Sequence, residues 1–308
     1  MPKPILVGYD PSSPDHAPVE FGTAAARFTG APLIVASVHG SPAALGAAAS
    51  ELAEEQLLSD AAEPLEHLKR RLSAEGIPAE CRALPGTSAP RALHSAAEEF
   101  DVGLLVVGST DRGQVGRVML GSTVQRLVHG APCPIAVVPH RWEAGGGIKT
   151  IGVAFVDTPE GHDALKGAVA LARRAGALLR VLSAGKEKGF GQTFGGGDAL
   201  TPAVTYADIA SADRVEAEHS AEAAVEGASD VEIDYDVSVG DPADFLVAAS
   251  ERLDLLICGS RGYGPARSVM LGGVSRRVTT EAHCPVIVLA RGTEAGLEAL
   301  IGEPAGAG

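Results

Sequence analysis

Short apolar runs alternate with longer amphipathic segments along the 308-residue chain. Runs of four to eight apolar residues are typical of strands that are covered on both faces, as in parallel sheets. In the first half, such runs predict strands at Ile5–Gly8, Leu33–Val38, Pro78–Leu84, Leu104–Gly108 and Ile135–Val138. The segments between them predict helices at Asp15–Thr29, Glu51–Ala74, Ala89–Glu99 and Ser122–His129. This alternation predicts a parallel sheet with right-handed crossovers.

The second half repeats the first in pattern and in sequence. ILVGYDPSSPDHA, from Ile5, aligns without a gap with IGVAFVDTPEGHD, from Ile151. APCPIAVV, from Ala131, aligns likewise with AHCPVIVL, from Ala282. A repeat period close to half the chain indicates a duplicated domain rather than a solenoid. The second copy predicts strands near Thr150–Phe155, Leu178–Leu182, Val231–Val239, Leu255–Gly259 and Val286–Leu289.

The predicted fold class is α/β, with two tandem Rossmann-like, doubly wound domains that each contain a five-stranded parallel sheet. Three consecutive glycines at 145–147 predict a flexible joint between the copies. The predicted boundaries are 1–141 for the first domain, 142–148 for a Gly-rich linker, 149–292 for the second domain and 293–308 for a disordered C-terminal tail.

One loop in each half has a composition suited to phosphate. The first is VVGSTDRGQVGRVMLGST, residues 106–123, and its counterpart is ICGSRGYGPARSVMLGGV, residues 257–274. Each follows the fourth strand, and ligands of such sheets bind at the carboxyl ends of the strands. A helix start favours an anion, and Ser122 and Thr123 add hydroxyl donors. The alternative is that Ser122 only caps its own helix and the glycines only form turns.

These motifs together resemble the universal stress protein family over nearly the whole chain. The resemblance rests on Gly-x-x-Gly, nine residues and Gly-Ser/Thr after the fourth strand, on the Asp after the first strand, and on Cys-Pro before the last strand. It implies an ATP- or AMP-binding domain that is more often a binding or signalling module than an efficient enzyme. It also implies that the last strands of the two halves pair, and that chains can form a homodimer.

On this resemblance, the first half has the more complete nucleotide site. Asp10 would lie beside the nucleotide and a bound Mg²⁺, and the backbone of Val38 would lie at the adenine. Asp111 replaces a family glycine, and its charge would repel a phosphate about 4 Å away by roughly 4 kcal/mol. Arg112, Arg117 or Mg²⁺ can offset that charge, or the carboxylate can point to solvent. The remaining nucleotide-binding candidates in this half are Gly108, Gly113, Gly121, Ser122 and Thr123.

The second half departs further from the family pattern. Val156 stands opposite Asp10, with Asp157 one place later, where it can substitute only if the turn shifts. Gly273 replaces the hydroxyl residue after Gly272. We therefore expect this site to be weaker or purely structural. Its candidate residues are Ala184, Gly259, Gly262, Gly272 and Gly273.

Composition excludes several other classes of function. The net charge is 25 − 39 = −14, which disfavours nucleic acid and anionic membranes as partners. The first residues do not form a signal peptide, and no window has the apolar length of a membrane helix, so a cytoplasmic location is expected. The four cysteines form no Cys-x-x-Cys pair and are interpreted as small buried apolar residues.

Three hypotheses remain open at this point. The first is a stress-response module whose conformation or partner depends on ATP or AMP. The second is a slow Mg²⁺-dependent ATPase or phosphotransferase, although no residue is predicted to be catalytic. The third is a scaffold whose two nucleotide sites are both degenerate.

Overall fold

The computed structural model describes most of the chain, in several ranges. These ranges are 1–40, 62–109, 122–128, 130–185, 228–259, 272–289 and 296–301, together with residues 215, 218–219, 222–223 and 225. Within the described helix at 122–128, the side chains of Ser122 and Thr123 lie outside the description.

The first half alternates strands and helices in the predicted order. Its elements are β1 (Ile5–Gly8), α1 (Ala17–Thr29), β2 (Leu33–His39), α2 (described over 62–74), β3 (Ala79–Pro85), α3 (Ala89–Glu99), β4 (Leu104–Gly108), α4 (Ser122–Val128) and β5 (Ile135–Val138). Strands β1, β4 and β5 have the predicted bounds. Helix α1 begins two residues later than predicted, and residues 51–61 of the predicted second helix lie outside the described ranges.

The second half follows the same order. Its elements are β6 (Thr150–Ala154), α5 (Pro159–Ala175), β7 (Leu178–Gly185), β8 (Ile233–Val239), α6 (Pro242–Ser250), β9 (Leu255–Gly259), α7 (Gly273–Glu281) and β10 (Val286–Leu289). A 3-10 turn at Leu297–Leu300 follows β10. Helices α1 and α5 both have proline in their first turn and end at a left-handed glycine, Gly30 and Gly176, as the composition of their ends favours.

All ten strands form one sheet, in the order β3-β2-β1-β4-β5-β10-β9-β6-β7-β8. Within each half every pairing is parallel, which confirms the predicted fold class. The two halves meet at β5 and β10, which pair antiparallel with Val137 opposite Val286 and Ile135 opposite Val288. Because this junction is antiparallel, the carboxyl ends of the strands in one half point in the opposite direction to those in the other half.

The core consists of two layers, one on each face of the sheet. Alternate residues of a strand point to opposite faces, so Ile5 and Val7 join one layer whereas Leu6 joins the other. The first layer also contains buried residues of α1 and α5, and the second contains those of α3, α4, α6 and α7. Both layers run through both halves, so apolar packing continues across the β5–β10 junction.

Two expectations differ from the structure. The tail was expected to be disordered from 293 onward, but residues 296–301 are ordered because Leu297 and Leu300 are buried in the first layer of the core. Cys81 was expected to be buried, but it is only half-buried because β3 is an edge strand. Cys133, Cys258 and Cys284 are buried as predicted.

A helix that crosses a membrane needs about 20 consecutive, mostly apolar residues. None of the helices in the described ranges is both long enough and apolar enough to cross a bilayer.

Candidate functional site

The carboxyl ends of β1, β2 and β4 form the topological switch point of the first half, and ligands of such sheets bind in the crevice beside it. Strand β1 lies between β2 and β4, so the chain connections leave it in opposite directions, as expected at a switch point. Pairing of β1 with β2 ends with Gly8 opposite Ala36, and the N–H of Tyr9 then donates to the carbonyl of Ala36 at 2.8 Å. Beyond this bond β2 continues to His39 without β1 beside it.

Val38 presents its backbone to this crevice. Successive residues of a strand direct their N–H and C=O groups to alternate sides. The carbonyl of Ala36 faces β1, and the carbonyl of His39 faces the opposite side, where it accepts the N–H of Gly86 at 2.9 Å. The N–H and C=O of Val38 therefore point to the side on which β1 has already ended. This is a pair of backbone groups suited to the edge of a nucleobase.

Asp10 lies in the turn immediately after β1. Its Oδ1 accepts hydrogen bonds from the backbone N–H of Ser12 at 2.9 Å and from the Ser12 hydroxyl at 2.6 Å. The residue is exposed, and no described residue donates to its Oδ2. The turn thus fixes the carboxylate at the crevice while leaving one oxygen open to solvent or a cation.

Gly108 ends β4 beside these residues. A Cβ at this position would lie 2.9 Å from Cγ of Pro18 on α1, so close packing by itself requires glycine here. The loop that follows, with Asp111, Gly113 and Gly121, lies outside the described residues. Helix α4 begins at Ser122, while the hydroxyls of Ser122 and Thr123 are likewise outside the description.

A hydrogen-bonded cluster around the Asp15 carboxylate, behind the crevice, was missed by sequence reasoning. The Asp15 side chain is only 8% exposed, and its Oδ2 lies 3.0 Å from Nδ1 of His140. Its Oδ1 accepts the backbone N–H groups of Ala17 at 3.1 Å and Arg141 at 3.2 Å. The backbone N–H of His140 donates in turn to the hydroxyl of Ser109, at the start of the β4 loop, at 3.0 Å.

This cluster joins the start of the first helix to the carboxyl ends of β4 and β5. It fixes the residue at which the β4 loop begins, and it holds Arg141 in a left-handed conformation with φ of 60°. The alignment of the two copies could have indicated this cluster. Asp15 stands opposite Gly161, so the acidic side chain is present in the first copy and absent from the second.

The corresponding turn of the second half has an apolar residue in the place of Asp10. The N–H of Phe155 donates to the carbonyl of Leu182 at 2.8 Å, as Tyr9 does to Ala36, so Val156 occupies the place of Asp10. Val156 is 42% exposed. Asp157 pairs through Oδ1 with Nε2 of His162 at 2.8 Å.

The glycine positions of the second half are only partly described. Ala184 occupies the end of β7 as Val38 does that of β2, and Gly259 ends β9, where a Cβ would lie 3.0 Å from the carbonyl oxygen of Glu160. Gly272 precedes α7 without a side-chain cap, Gly273 begins that helix, and Val274 after it is 37% exposed. Gly262 lies outside the described residues.

The described thiols are not activated. Burial raises the pKa of Cys133 and of Cys258 to about 12, and it also raises the pKa of Cys284. Thiols in that state are neutral at physiological pH and are poor nucleophiles and metal ligands. Within the described ranges, no three histidine, cysteine or acidic side chains lie close enough together to hold a metal ion.

Comparison with known proteins places this architecture in one family. The model of the "Universal stress protein family" matches residues 1–139 and 147–290. A universal stress protein of Mycobacterium bovis is 29% identical over 185 residues, which cover 58% of this chain and 63% of that protein. A universal stress protein of Mycolicibacterium smegmatis is 31% identical over 137 residues, which cover 44% of this chain and 98% of that protein.

Solved structures show the same fold along nearly the entire chain. A universal stress protein from Archaeoglobus fulgidus has a TM-score of 0.68 at 20% identity, covering 94% of this chain and 98% of that one. A protein of unknown function from Pseudomonas aeruginosa has a TM-score of 0.66 at 14% identity, covering 97% of this chain and 95% of that one. With two family matches that span both halves, the chain belongs to the universal stress protein family, in its tandem two-domain form.

Proposed function

We propose that this protein binds ATP or AMP in the crevice of its first half and acts as a nucleotide-dependent binding or signalling module. The observation that carries the proposal is the combination of Asp10 and Val38 at one switch point. Val38 directs a backbone donor and acceptor into the crevice, which suits an adenine edge, and Asp10 holds an open carboxylate oxygen where β1 ends.

Mg²⁺ is compatible with the residues of this site. The ion is usually bound by one or two carboxylates together with phosphate oxygens and water. Asp10 supplies one exposed carboxylate whose Oδ2 accepts from no described residue. Asp10 would hold the ion, and the ion would neutralise the phosphate charge that otherwise faces an acidic protein.

The second half is proposed to bind nucleotide more weakly or not at all. Val156 offers no ligand to a cation, and Asp157 already pairs with His162. At the start of α7, Gly273 and Val274 replace the residues that bear hydroxyls in the first half. A metal–triphosphate ligand would lose both its metal ligand and two hydroxyl donors there.

Equilibrium dialysis with ATP in the presence and absence of Mg²⁺ tests this assignment. The proposal expects one high-affinity site per chain, and it expects Asp10→Ala to weaken ATP binding only when Mg²⁺ is present. Val156→Ala is the matched control, because it changes the equivalent position in the second half and should leave binding unchanged. Equal losses from both substitutions, or none from either, would contradict the assignment to the first half.

A further inference from the structure

The last described turn of the chain contacts both halves of the molecule. Residues Leu297 and Leu300 are 0% and 1% exposed, respectively, and both belong to the core layer that also contains α1 and α5. A two-leucine turn beyond the last strand becomes this buried only when the rest of the protein provides a shaped recess for it. The residues that form the recess come from both halves.

In the second half, the turn packs against α5. A Cβ at Gly167 would lie 3.0 Å from Cβ of Leu297, so only glycine leaves room for this leucine. One residue earlier on the helix, Nζ of Lys166 lies 3.4 Å from Oε1 of Glu298, at the solvent side of the same contact.

In the first half, the turn covers the amino ends of β1 and β4. The backbone N–H of Lys3 donates to the carbonyl of Ala299 at 2.8 Å. A Cβ at Gly103 would lie 2.9 Å from Cβ of Lys3 and 3.0 Å from Cδ2 of Leu300, so a second glycine makes room for both the neighbouring strand and the second leucine. Lys3 and Gly103 stand next to each other, because the N–H of Gly103 donates to the carbonyl of Pro4 at 2.9 Å.

The internal repeat explains why the first half needs this turn. In the second half, Asp254 donates its N–H to the carbonyl of Thr150 at 2.9 Å, as Gly103 does to Pro4. The Asp254 carboxylate then accepts the N–H groups of Lys149 at 2.8 Å and Thr150 at 2.9 Å. Asp254 therefore satisfies the N–H groups of Lys149 and Thr150, at the start of β6, within its own half.

The first copy lacks each part of that arrangement. Gly103 stands in place of Asp254 and has no carboxylate, while Pro4 stands in place of Thr150 and has no N–H to satisfy. Only the N–H of Lys3 remains, and the carbonyl of Ala299 accepts it. Glycine at 103 both removes the internal acceptor and opens the space that Leu300 occupies.

We propose that residues 297–300 form an interdomain clasp, a Leu-x-x-Leu turn bound in a recess whose two glycines, Gly103 and Gly167, come from different halves. The first half is complete only when the end of the chain is bound to it. The recess is thus a binding site for an apolar turn, and the chain's own C-terminal segment is its ligand.

Truncation of the full chain tests the clasp. A chain that ends after residue 295 should unfold at a temperature about 5–10 °C lower, since two fully buried leucines are lost. Amide exchange should accelerate at Lys3 in the first half and around Gly167 in the second. A chain that ends after residue 301 is the matched control and should behave as the full chain does.

Adding the clasp in trans supplies a second readout. A synthetic peptide of residues 296–301 should restore the exchange protection of Lys3 in the chain that ends after residue 295, and a peptide with both leucines replaced by aspartate should not. Exchange that changes in only one half, or a truncated chain as stable as the control, would overturn the proposal.

Gly103→Asp distinguishes a clasp from general stabilisation. In the full chain it should lower the melting temperature, because its side chain collides with Leu300. In the chain that ends after residue 295 the decrease should be clearly smaller, because Leu300 is absent, the contact with Cβ of Lys3 alone remains, and the new carboxylate can accept the N–H of Lys3. An equal decrease in both backgrounds would contradict the role assigned to Gly103.

Discussion

At the scale of single residues, the two copies differ in chemistry at the end of their first strands. Asp10 is held by hydrogen bonds from Ser12 and keeps one carboxylate oxygen open, whereas Val156 exposes an apolar side chain at the equivalent position. Asp157 is adjacent to Val156, but its carboxylate pairs with the imidazole of His162. The acidic residue after the first strand therefore lies one position later in the second copy. This shift changes the chemistry beside the strand, although the strand itself is the same in both copies.

The residue-level account predicts an exchange of properties between the copies. Asp10→Val should weaken Mg²⁺-dependent ATP binding by about tenfold or more, because the metal loses its carboxylate. Val156→Asp in that variant should restore part of the Mg²⁺ dependence at a second location. Titration calorimetry with and without Mg²⁺ measures both effects, and an unchanged affinity in Asp10→Val would contradict the role of Asp10.

Asp15 gives a second prediction at this scale. Asp15→Ala should lower the free energy of unfolding by about 2–4 kcal/mol, because it removes the carboxylate that contacts Nδ1 of His140 and accepts two backbone N–H groups. Urea denaturation measures the loss. Asp10→Ala, at an exposed position, is the control and should cost much less, and similar losses for the two would show that the cluster contributes little.

At the scale of elements, strand burial governs the reactivity of the cysteines. Cys133, Cys258 and Cys284 are buried within or beside central strands, whereas Cys81 is half-buried on edge strand β3. Burial is the largest cause of the raised pKa at each of these thiols. Thiols of this kind ionise more readily in the unfolded chain than in the folded one.

Two measurements test this difference. At pH 8, one thiol of the native protein should react with a disulfide reagent well before the other three, and Cys81→Ser should remove that phase. Rapid reaction of all four thiols in the native protein would contradict their burial.

The free energy of unfolding should be unaffected by the thiols below pH 9 and should decrease between about pH 9 and 12, since the folded pKa of Cys133 and Cys258 is raised to about 12.

The elements also show how much the sequence predicts. Short, uniformly apolar runs such as Ile5–Gly8 and Leu104–Gly108 are typical of buried strands, and their predicted bounds are correct. Ends governed by side-chain contacts are less predictable, and α1 begins at Ala17 because Asp15 turns back to accept the N–H of that residue. The contact between Asp15 and His140 joins residues 125 positions apart, and no local pattern indicates it.

At the scale of the whole molecule, duplication has produced one continuous sheet rather than two separate ones. The antiparallel pairing of β5 and β10 places the two crevices at opposite edges, and both core layers cross the junction. The resemblance to the family correctly implied this pairing. It did not indicate that residues 297–300 pack against the first half, because two leucines after the last strand carry no periodic signal. The halves are therefore expected to unfold together.

The most direct test of the central claim is to denature freshly purified protein and to quantify the nucleotide that it releases by chromatography and mass spectrometry. The account predicts close to one adenine nucleotide per chain from the native sequence and from Val156→Ala, and a marked loss from Asp10→Val. Two nucleotides per chain would show that the second crevice is also a full site. No nucleotide, together with no binding when ATP and Mg²⁺ are added, would contradict the claim that the first crevice binds nucleotide.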